Sequence, residues 1–299
     1  SAQGAQLSSV QKRVRINGVP RRATDLVGQI RAVTFSPQDI DLVTGPPQER
    51  RHYMDIALSQ IDLVYARALQ RYSRILLQRN HLLRRMQSGE ASAGELDFWD
   101  DNLVETGSFI TAKRLEAIFN LGLLCSAIHA RLTGEGETLE VRYQGRALRG
   151  YEVHRDGEDT LATVKAIFHK ALADARPREL GQGETVIGPH RDDLEILLEG
   201  TSVNAYGSRG QQRTAALAMK LAQAAFIEDR TGEQPVLLFD DVLSELDAAR
   251  RGFLARQAAD YHQVFITTTD LDRIEPHLLS QATIFRVEAG MVIADSTPF

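Results

Sequence analysis

The stretch PVLLFDDVLSELD, Pro235 to Asp247, limits the possible folds more than any other part of the chain. Val236 to Phe239 are four apolar residues in a row with no polar alternation. Such a run suits a strand buried on both faces, as in a parallel sheet covered by helices. It ends in adjacent carboxylates, Asp240 and Asp241. In open α/β sheets ligands gather at the carboxyl ends of the strands. A carboxylate there can hold Mg²⁺ beside a nucleotide phosphate, and its neighbour can take the proton of an attacking water. The plain alternative is that two aspartates stop a strand and cap the next helix. For a bare apolar run followed by Asp-Asp the two readings are even, and the following SELD favours the chemical one.

A second stretch, AYGSRGQQRTAALAMKLAQ (Ala205 to Gln223), places a short Gly-Ser turn directly before an Ala/Leu-rich helix. A helix start presents free backbone N–H groups and the positive end of the helix dipole, which together suit an anion. Ser208 can add a hydroxyl and Gln211 an amide. Taken alone, the stretch reads more readily as a glycine-rich turn with solvated polar residues.

The rest of the 299 residues divides into three parts. Residues 1–45 are β-rich: RVRINGVPRR alternates around Asn17-Gly18, a hairpin signal, and IRAVTF reads as a buried strand. Residues 46–135 are helical. Leu58, Ile61, Tyr65, Leu69, Tyr72, Leu76, Leu83 and Met86 recur at three- and four-residue steps, predicting one stripe on a long helix interrupted by Arg79. QSGEASAGE then breaks the helix, Ser92 and Glu95 have capping-box spacing, and Leu115, Ile118, Cys125 and Leu132 carry the stripe on a returning helix. The two make an antiparallel hairpin, or arm. Residues 136–299 alternate strands and helices, which favours an α/β sheet.

Composition excludes several classes. The apolar fraction is 43% and the charged fraction 25%, as in globular proteins. A net charge of -5 argues against a uniformly basic nucleic-acid binder, so any such surface is local. The single cysteine, Cys125, excludes an internal disulfide and reads as a core residue of the helix stripe. The apolar run around Ala117 to Ala130 is too short to span a bilayer, so a cytoplasmic setting is expected. His190 has no metal-ligand partners at useful spacing.

Taken together, GSRGQQR, LLFDDVLSELD and FITTTD resemble the signature motif, Walker B strand, D-loop and switch strand of ABC-type ATPase heads. Two further stretches, PQDIDLVTGPPQERRHYMD (Pro37 to Asp55) and GPHRDDLEI (Gly188 to Ile196), resemble the RecF family of bacterial recombination mediators. The resemblance runs from about Arg13 to the C-terminus. It implies an α/β ABC-type P-loop ATPase head with an inserted helical hairpin arm. By the same resemblance Asp240 positions Mg²⁺ and Asp241 takes the catalytic place. Ser208, Gly210 and Gln211 touch the γ-phosphate of an ATP held by the other subunit. Ser244 and Asp247 belong to the D-loop, Thr269 takes the place of the switch histidine, and Gln38 is the Q-loop candidate. Arg209 stands where the common signature has glycine.

The resemblance further implies ATP-dependent dimerisation, slow Mg²⁺-dependent hydrolysis and DNA binding at single-strand gaps during repair. It also implies RecR and RecO as partners and RecA as the protein finally loaded. One family feature is missing from the 299 residues: none of the five lysines follows glycine, so no G-x-x-x-x-G-K-[ST] phosphate loop exists. The chain begins at Ser1 and runs almost directly into strand-like KRVRING. The phosphate cradle is therefore expected on a preceding segment, and little hydrolysis is expected without it. Two rival classes stand beside this reading. An SMC-like chromosome-organising head needs a longer coiled coil, and a transporter ATPase needs a shorter insertion and a membrane partner.

Charge supplies the DNA candidates. Residues 48–87 hold eight arginines against Glu49, Asp55 and Asp62, a net of +5 with histidine neutral. Of these, Arg74, Arg79, Arg84 and Arg85 are the expected phosphate contacts. The Lys12 to Arg22 hairpin, with five basic residues, is a second candidate surface. The plain alternative is an arginine-decorated, solvated helix face, or an arm that docks a protein.

Overall fold

The structure is a computed structural model that describes residues 13–92, 94–134, 136–149 and 160–294. Lys12 of the basic hairpin lies outside them. Asn17 and Gly18 both take positive φ, 50° and 79°. That is the geometry of the tight hairpin turn, and β1 (Val14–Ile16) pairs antiparallel with β2 (Val19–Arg21) across it. β3 (Ala32–Phe35) follows, then α1 (Asp41–Thr44) and α2 (Pro47–Ile61), whose first position is a proline.

The expected single arm helix is in fact two. Asp62 leaves the helical region at φ -137°, ψ 102°, and its carboxylate accepts the N–H groups of Val64 and Tyr65. This N-cap starts α3 (Leu63–Gln87) afresh, so the apolar stripe is shared between α2 and α3. Arg79 does not interrupt the stripe. It lies in it, fully buried. The returning helix α4 (Glu95–Thr133) has 39 residues and is about 58 Å long. Glu95 reaches back to the Ser92 N–H at 2.9 Å, one half of the expected capping box. The first part of α4 packs antiparallel on α3, where Arg71 meets Asn102 and Lys113 meets Asp62. Its second part leaves the hairpin and enters the body of the protein. By length and composition alone α4 is apolar enough to cross a bilayer, unlike the shorter run read from sequence. Its buried Ile118, Leu121 and Cys125 join the protein core, which accounts for that apolarity.

The remaining elements are β4 (Leu139–Gln144), α5 (Thr160–Gln182), β5 (Asp193–Leu198), β6 (Thr201–Ser202), α6 (Val203–Tyr206), α7 (Arg209–Thr231), β7 (Val236–Asp240), α8 (Ala248–Ala259), β8 (Val264–Thr267), α9 (Pro276–Leu279), and the hairpin β9 (Phe285–Glu288) and β10 (Met291–Ala294). They do not make one sheet. β3, β7 and β8 form a parallel sheet in that order, whereas β4, β5 and β6 form a separate antiparallel one. The apolar run Val236 to Phe239 is the middle strand of the parallel sheet, with Phe35 and Phe239 rings 4.5 Å apart beneath it. α7 joins the two halves. Its Ala215, Ala218, Ala222 and Ala224 are buried, and these small side chains let α4 and β3 approach closely.

Candidate functional site

The carboxyl edge of the parallel sheet carries the first cluster. Asp240 is the last residue of β7 and pairs in register with Thr267, the last residue of β8. The Thr267 hydroxyl donates to Asp240 Oδ1 at 2.7 Å. Asp241 follows at φ 51°, a left-handed conformation that a residue with a Cβ adopts only when its surroundings impose it. Here the Asp241 N–H donates to both Thr267 Oγ1 (3.1 Å) and Thr267 O (3.3 Å), which pins the turn. The consequence is chemical: both carboxylates are exposed at the strand end, and among the described residues none donates a hydrogen bond to that of Asp241. Ser244 Oγ donates to Asp241 O at 2.7 Å, and Arg273 Nη1 to Ser244 O at 3.1 Å.

This donor set fits Mg²⁺ held together with a nucleotide. Mg²⁺ takes one or two carboxylates and fills its other positions with water and phosphate oxygens. Asp240, oriented by Thr267, offers one free oxygen toward solvent. No group of three or more acidic, His or Cys residues able to hold a metal alone exists among the described residues.

Gln38 lies on the same edge, exposed in the short 3-10 turn Pro37–Ile40 that follows β3. The neighbouring Asp39 caps that turn through the Ser36 N–H and faces Lys220 of α7 at 3.8 Å. Burial raises the Asp39 pKa and lowers that of Lys220, while each charge opposes the shift of the other. Asp247 caps α8, accepting the Arg250 N–H at 2.9 Å, and also pairs with the Arg250 guanidinium.

The Gly-Ser turn lies elsewhere. Ser208 is the N-cap of α7, and with Gln211 it forms a capping box. Ser208 Oγ accepts the Gln211 N–H at 3.2 Å, and Gln211 Oε1 accepts the Ser208 N–H at 2.9 Å. Gln211 Nε2 donates to Glu137 at 2.7 Å. The cap uses an oxygen lone pair of Ser208 and leaves its O–H free to donate outward. Lys220 marks where α7 passes the sheet edge, and Ser208 is twelve residues earlier, about 18 Å along the axis. The turn therefore stands well away from Asp240 of its own chain.

A third assembly joins residues far apart in sequence. Arg50 is buried and forks onto Asp193, with Nε to Oδ1 at 2.6 Å and Nη2 to Oδ2 at 3.0 Å. Arg51 donates to Asp192 O at 2.8 Å. Asp55 accepts from Arg114 at 2.8 Å and from the Tyr65 hydroxyl at 2.6 Å, and Arg114 also donates to Pro189 O at 2.7 Å. Gly188 has φ 131° and a Cβ there would collide with the Tyr72 hydroxyl. His190 donates from Nε2 to Thr185 O at 3.0 Å, so its Nδ1 accepts from the Tyr72 hydroxyl at 2.7 Å. Burial pushes the His190 pKa down to about 4, so the ring is neutral at physiological pH. Asp192 accepts from the Tyr143 hydroxyl and from the Arg146 N–H. The stretches Pro46 to Asp55 and Gly188 to Asp193 are thus one interlocked unit.

No family model matches the chain. Curated relatives do. The chain is 43% identical over 294 residues to the "DNA replication and repair protein RecF" of Herpetosiphon aurantiacus, spanning 97% of this chain and 73% of that protein. It is 43% identical to the protein of that name from Chloroflexus aurantiacus, with 97% and 74% covered. The chain belongs to the RecF family. A solved structure described as the recombination mediator RecF with ATP in the RecFOR pathway superposes with TM-score 0.84 at 31% identity, covering 96% of this chain and 73% of that one. The fold is therefore the ABC-type ATPase head of RecF proteins with its helical arm.

Against that RecF frame, the structure gathers Gln38, Asp240, Asp241 and Ser244 along one edge and sets Ser208, Gly210 and Gln211 apart. Thr269 is exposed in the bend beyond β8 and does not reach Asp240; Thr267 does. Of the three threonines, the β7–β8 register brings Thr267 to Asp240. Arg79 requires a correction. It is not a DNA contact, because its guanidinium is fully buried, bonded to Asp100 (2.7 Å), Thr185 (2.8 Å) and Glu179 (2.7 Å). Arg74 and Arg84 are exposed, and Arg85 is half-buried and donates to Glu90 O.

Proposed function

We propose that this chain is the head of an ATP-switched DNA clamp acting in recombinational repair. Two copies close head to tail around two nucleotides. Asp240 holds Mg²⁺ against the phosphates, and Asp241 takes the proton from the attacking water. Ser208, Gly210 and Gln211 of one subunit meet the γ-phosphate bound by the other. Hydrolysis is slow, because nucleotide serves mainly to close the dimer. The clamp acts at gapped DNA with RecR and RecO, in support of RecA loading. The observation that carries this reading is the separation of the two halves of the site: the signature serine is held as an outward donor about 18 Å along α7 from the sheet edge where the carboxylates lie. A donor so placed serves a second subunit better than its own.

The test is Ser208→Arg in the full-length protein. ATP affinity of the lone subunit should remain, while sedimentation with a slowly hydrolysed ATP analogue should show no nucleotide-dependent dimer. A variant that dimerises normally would make the Gly-Ser turn a helix cap and nothing more.

A further inference from the structure

On the arm, Arg79 is buried, Arg85 is engaged with backbone and Arg71 with Asn102, which leaves Arg67, Arg74 and Arg84 exposed along one helix. A second basic surface borders the Gly188–Asp193 unit, whose Arg191 and Asp193 line it. Two open clefts, each of about 390 Å³, meet at a shared wall made by Arg146 and Arg149. The first runs between α2 and β5 and is also lined by Arg50 and by Arg191, which is itself paired with Glu184. The second runs along α5 and is also lined by Arg178. Among the described lining residues carboxylates are fewer. Asp193 in the first cleft is already committed to Arg50, leaving Glu195 there and Asp174 in the second.

The shared wall is a rigid turn. A Cβ on Gly145 would crowd the Leu148 and Tyr143 side chains at 3.0–3.1 Å. Ala147 and Leu148 are buried, and the Leu148 N–H closes the turn on Gly145 O at 3.1 Å. Asp192 holds the Arg146 N–H at 2.7 Å from a carboxylate that is itself 2% exposed. Thus the Gly188–Asp193 stretch, beyond locking the arm, also presents a guanidinium. Among the described residues the Arg146, Arg149 and Arg178 side chains have no protein partner, unlike Arg50, Arg79 and Arg114, which are all spent on carboxylates. Free forked donors on a fixed scaffold, in a protein of net charge -5, mark an anion surface.

Two adjoining clefts fit a repeating anion rather than a single phosphate. Among the described residues neither is lined by Phe, Tyr, Trp or His, so these walls offer unstacked bases no aromatic platform. An acidic peptide would present fewer rigid charges to arginines spread along two grooves. Resting on the DNA-clamp reading above, we propose that the twin cleft around Arg146, Arg149 and Arg178 tracks the phosphate backbone of duplex DNA.

The experiment compares the full-length protein with Arg146→Gln/Arg149→Gln/Arg178→Gln. Duplex and single-stranded oligonucleotides are titrated by fluorescence anisotropy at several salt concentrations, with nucleotide-dependent dimerisation as the fold control. The triple variant should dimerise normally, lose about tenfold or more in duplex affinity, and show a log Kd–log salt slope lower by roughly 2.7, about 0.9 for each phosphate no longer neutralised. Single Arg→Gln variants, each removing one guanidinium, keep the test valid if the triple variant fails to fold. Unchanged duplex affinity and slope would overturn the proposal, as would an equal loss on single strands, or normal DNA binding with loss of a protein partner. If the parent protein bound no DNA, the clamp reading itself would fall. Binding by the parent with no change in the variants would remove this surface only.

Discussion

Arg50 and Asp193, 143 residues apart, form a forked ion pair with both prongs at 3.0 Å or less. The Arg50 side chain is 7% exposed and that of Asp193 31%. Arg50 Nη1 also donates to Gly45 O at 2.9 Å, so the pair fastens the start of α2 to the start of β5. Arg50→Met should cost about 2–4 kcal/mol, the scale for breaking a largely buried pair that keeps some access to water. Urea denaturation with an unchanged m-value would measure it. A loss below about 0.5 kcal/mol, the scale of an exposed pair, would mean the fork is a bystander.

Gly188 is a second fixed point. Its φ of 131° suits glycine alone, and the Tyr72 hydroxyl occupies the space a Cβ would need. Gly188→Ala should destabilise by roughly 2–4 kcal/mol through combined backbone and steric strain. It should also break the Tyr72–His190 hydrogen bond, which the tyrosine absorbance in thermal melts would report.

His190 sets a pH dependence. Its folded pKa, about 4, lies below the ordinary histidine value of 6.5 because burial penalises the charged ring. Between those values the unfolded chain binds more protons than the folded one. Stability is therefore complete above about pH 6.5 and declines as pH falls toward about 4. At about pH 5 the loss from this residue is about 2 kcal/mol relative to about pH 7.5. Comparing His190→Asn with the parent at both pH values should show a shallower decline in the variant. Equal declines would assign the acid sensitivity to other groups.

At the sheet edge, Asp240→Ala in the full-length protein should abolish Mg²⁺-dependent ATP hydrolysis. Asp241→Asn should slow hydrolysis while sparing nucleotide binding and trapping the dimer. An unchanged rate in Asp241→Asn would remove it from the base role. Thr267→Val, which removes the donor to Asp240 Oδ1, should weaken the Mg²⁺ dependence, whereas Thr269→Val should do so less.

On the arm, Arg74→Gln with Arg84→Gln should leave the fold intact, since both side chains are exposed. Arg79→Gln should not. It leaves Glu179, 0% exposed, without its charge partner and should cost about 3–5 kcal/mol. A DNA-binding defect in Arg79→Gln would therefore report unfolding, which circular dichroism separates from the removal of a phosphate ligand.

The local part of this protein was readable from the chain alone. Val236 to Phe239 is apolar without alternation and becomes the central parallel strand. Asn17-Gly18 makes the turn that its two positive φ values require, and Ser208 starts α7. These outcomes depend on periods of two and about 3.6 residues and on caps spanning three or four, all written in neighbouring residues. The break at Asp62 belongs to the same class: an aspartate able to cap stands there, but the apolar stripe running from Leu58 past it to Leu76 points to one helix. What remained undecided is the choice of distant partners. Nothing local says that Arg79 is buried while Arg74 is not, because an arginine enters a core only where Glu179, Asp100 and Thr185 converge on it. Nothing local says that Thr267 is the threonine bonded to Asp240, because the register of β8 on β7 is set by packing across the whole sheet. The joining of Pro46–Asp55 to Gly188–Asp193 is of the same kind. Each half carries charges that alone would be solvated, and only the fold brings Arg50 to Asp193 with water largely excluded.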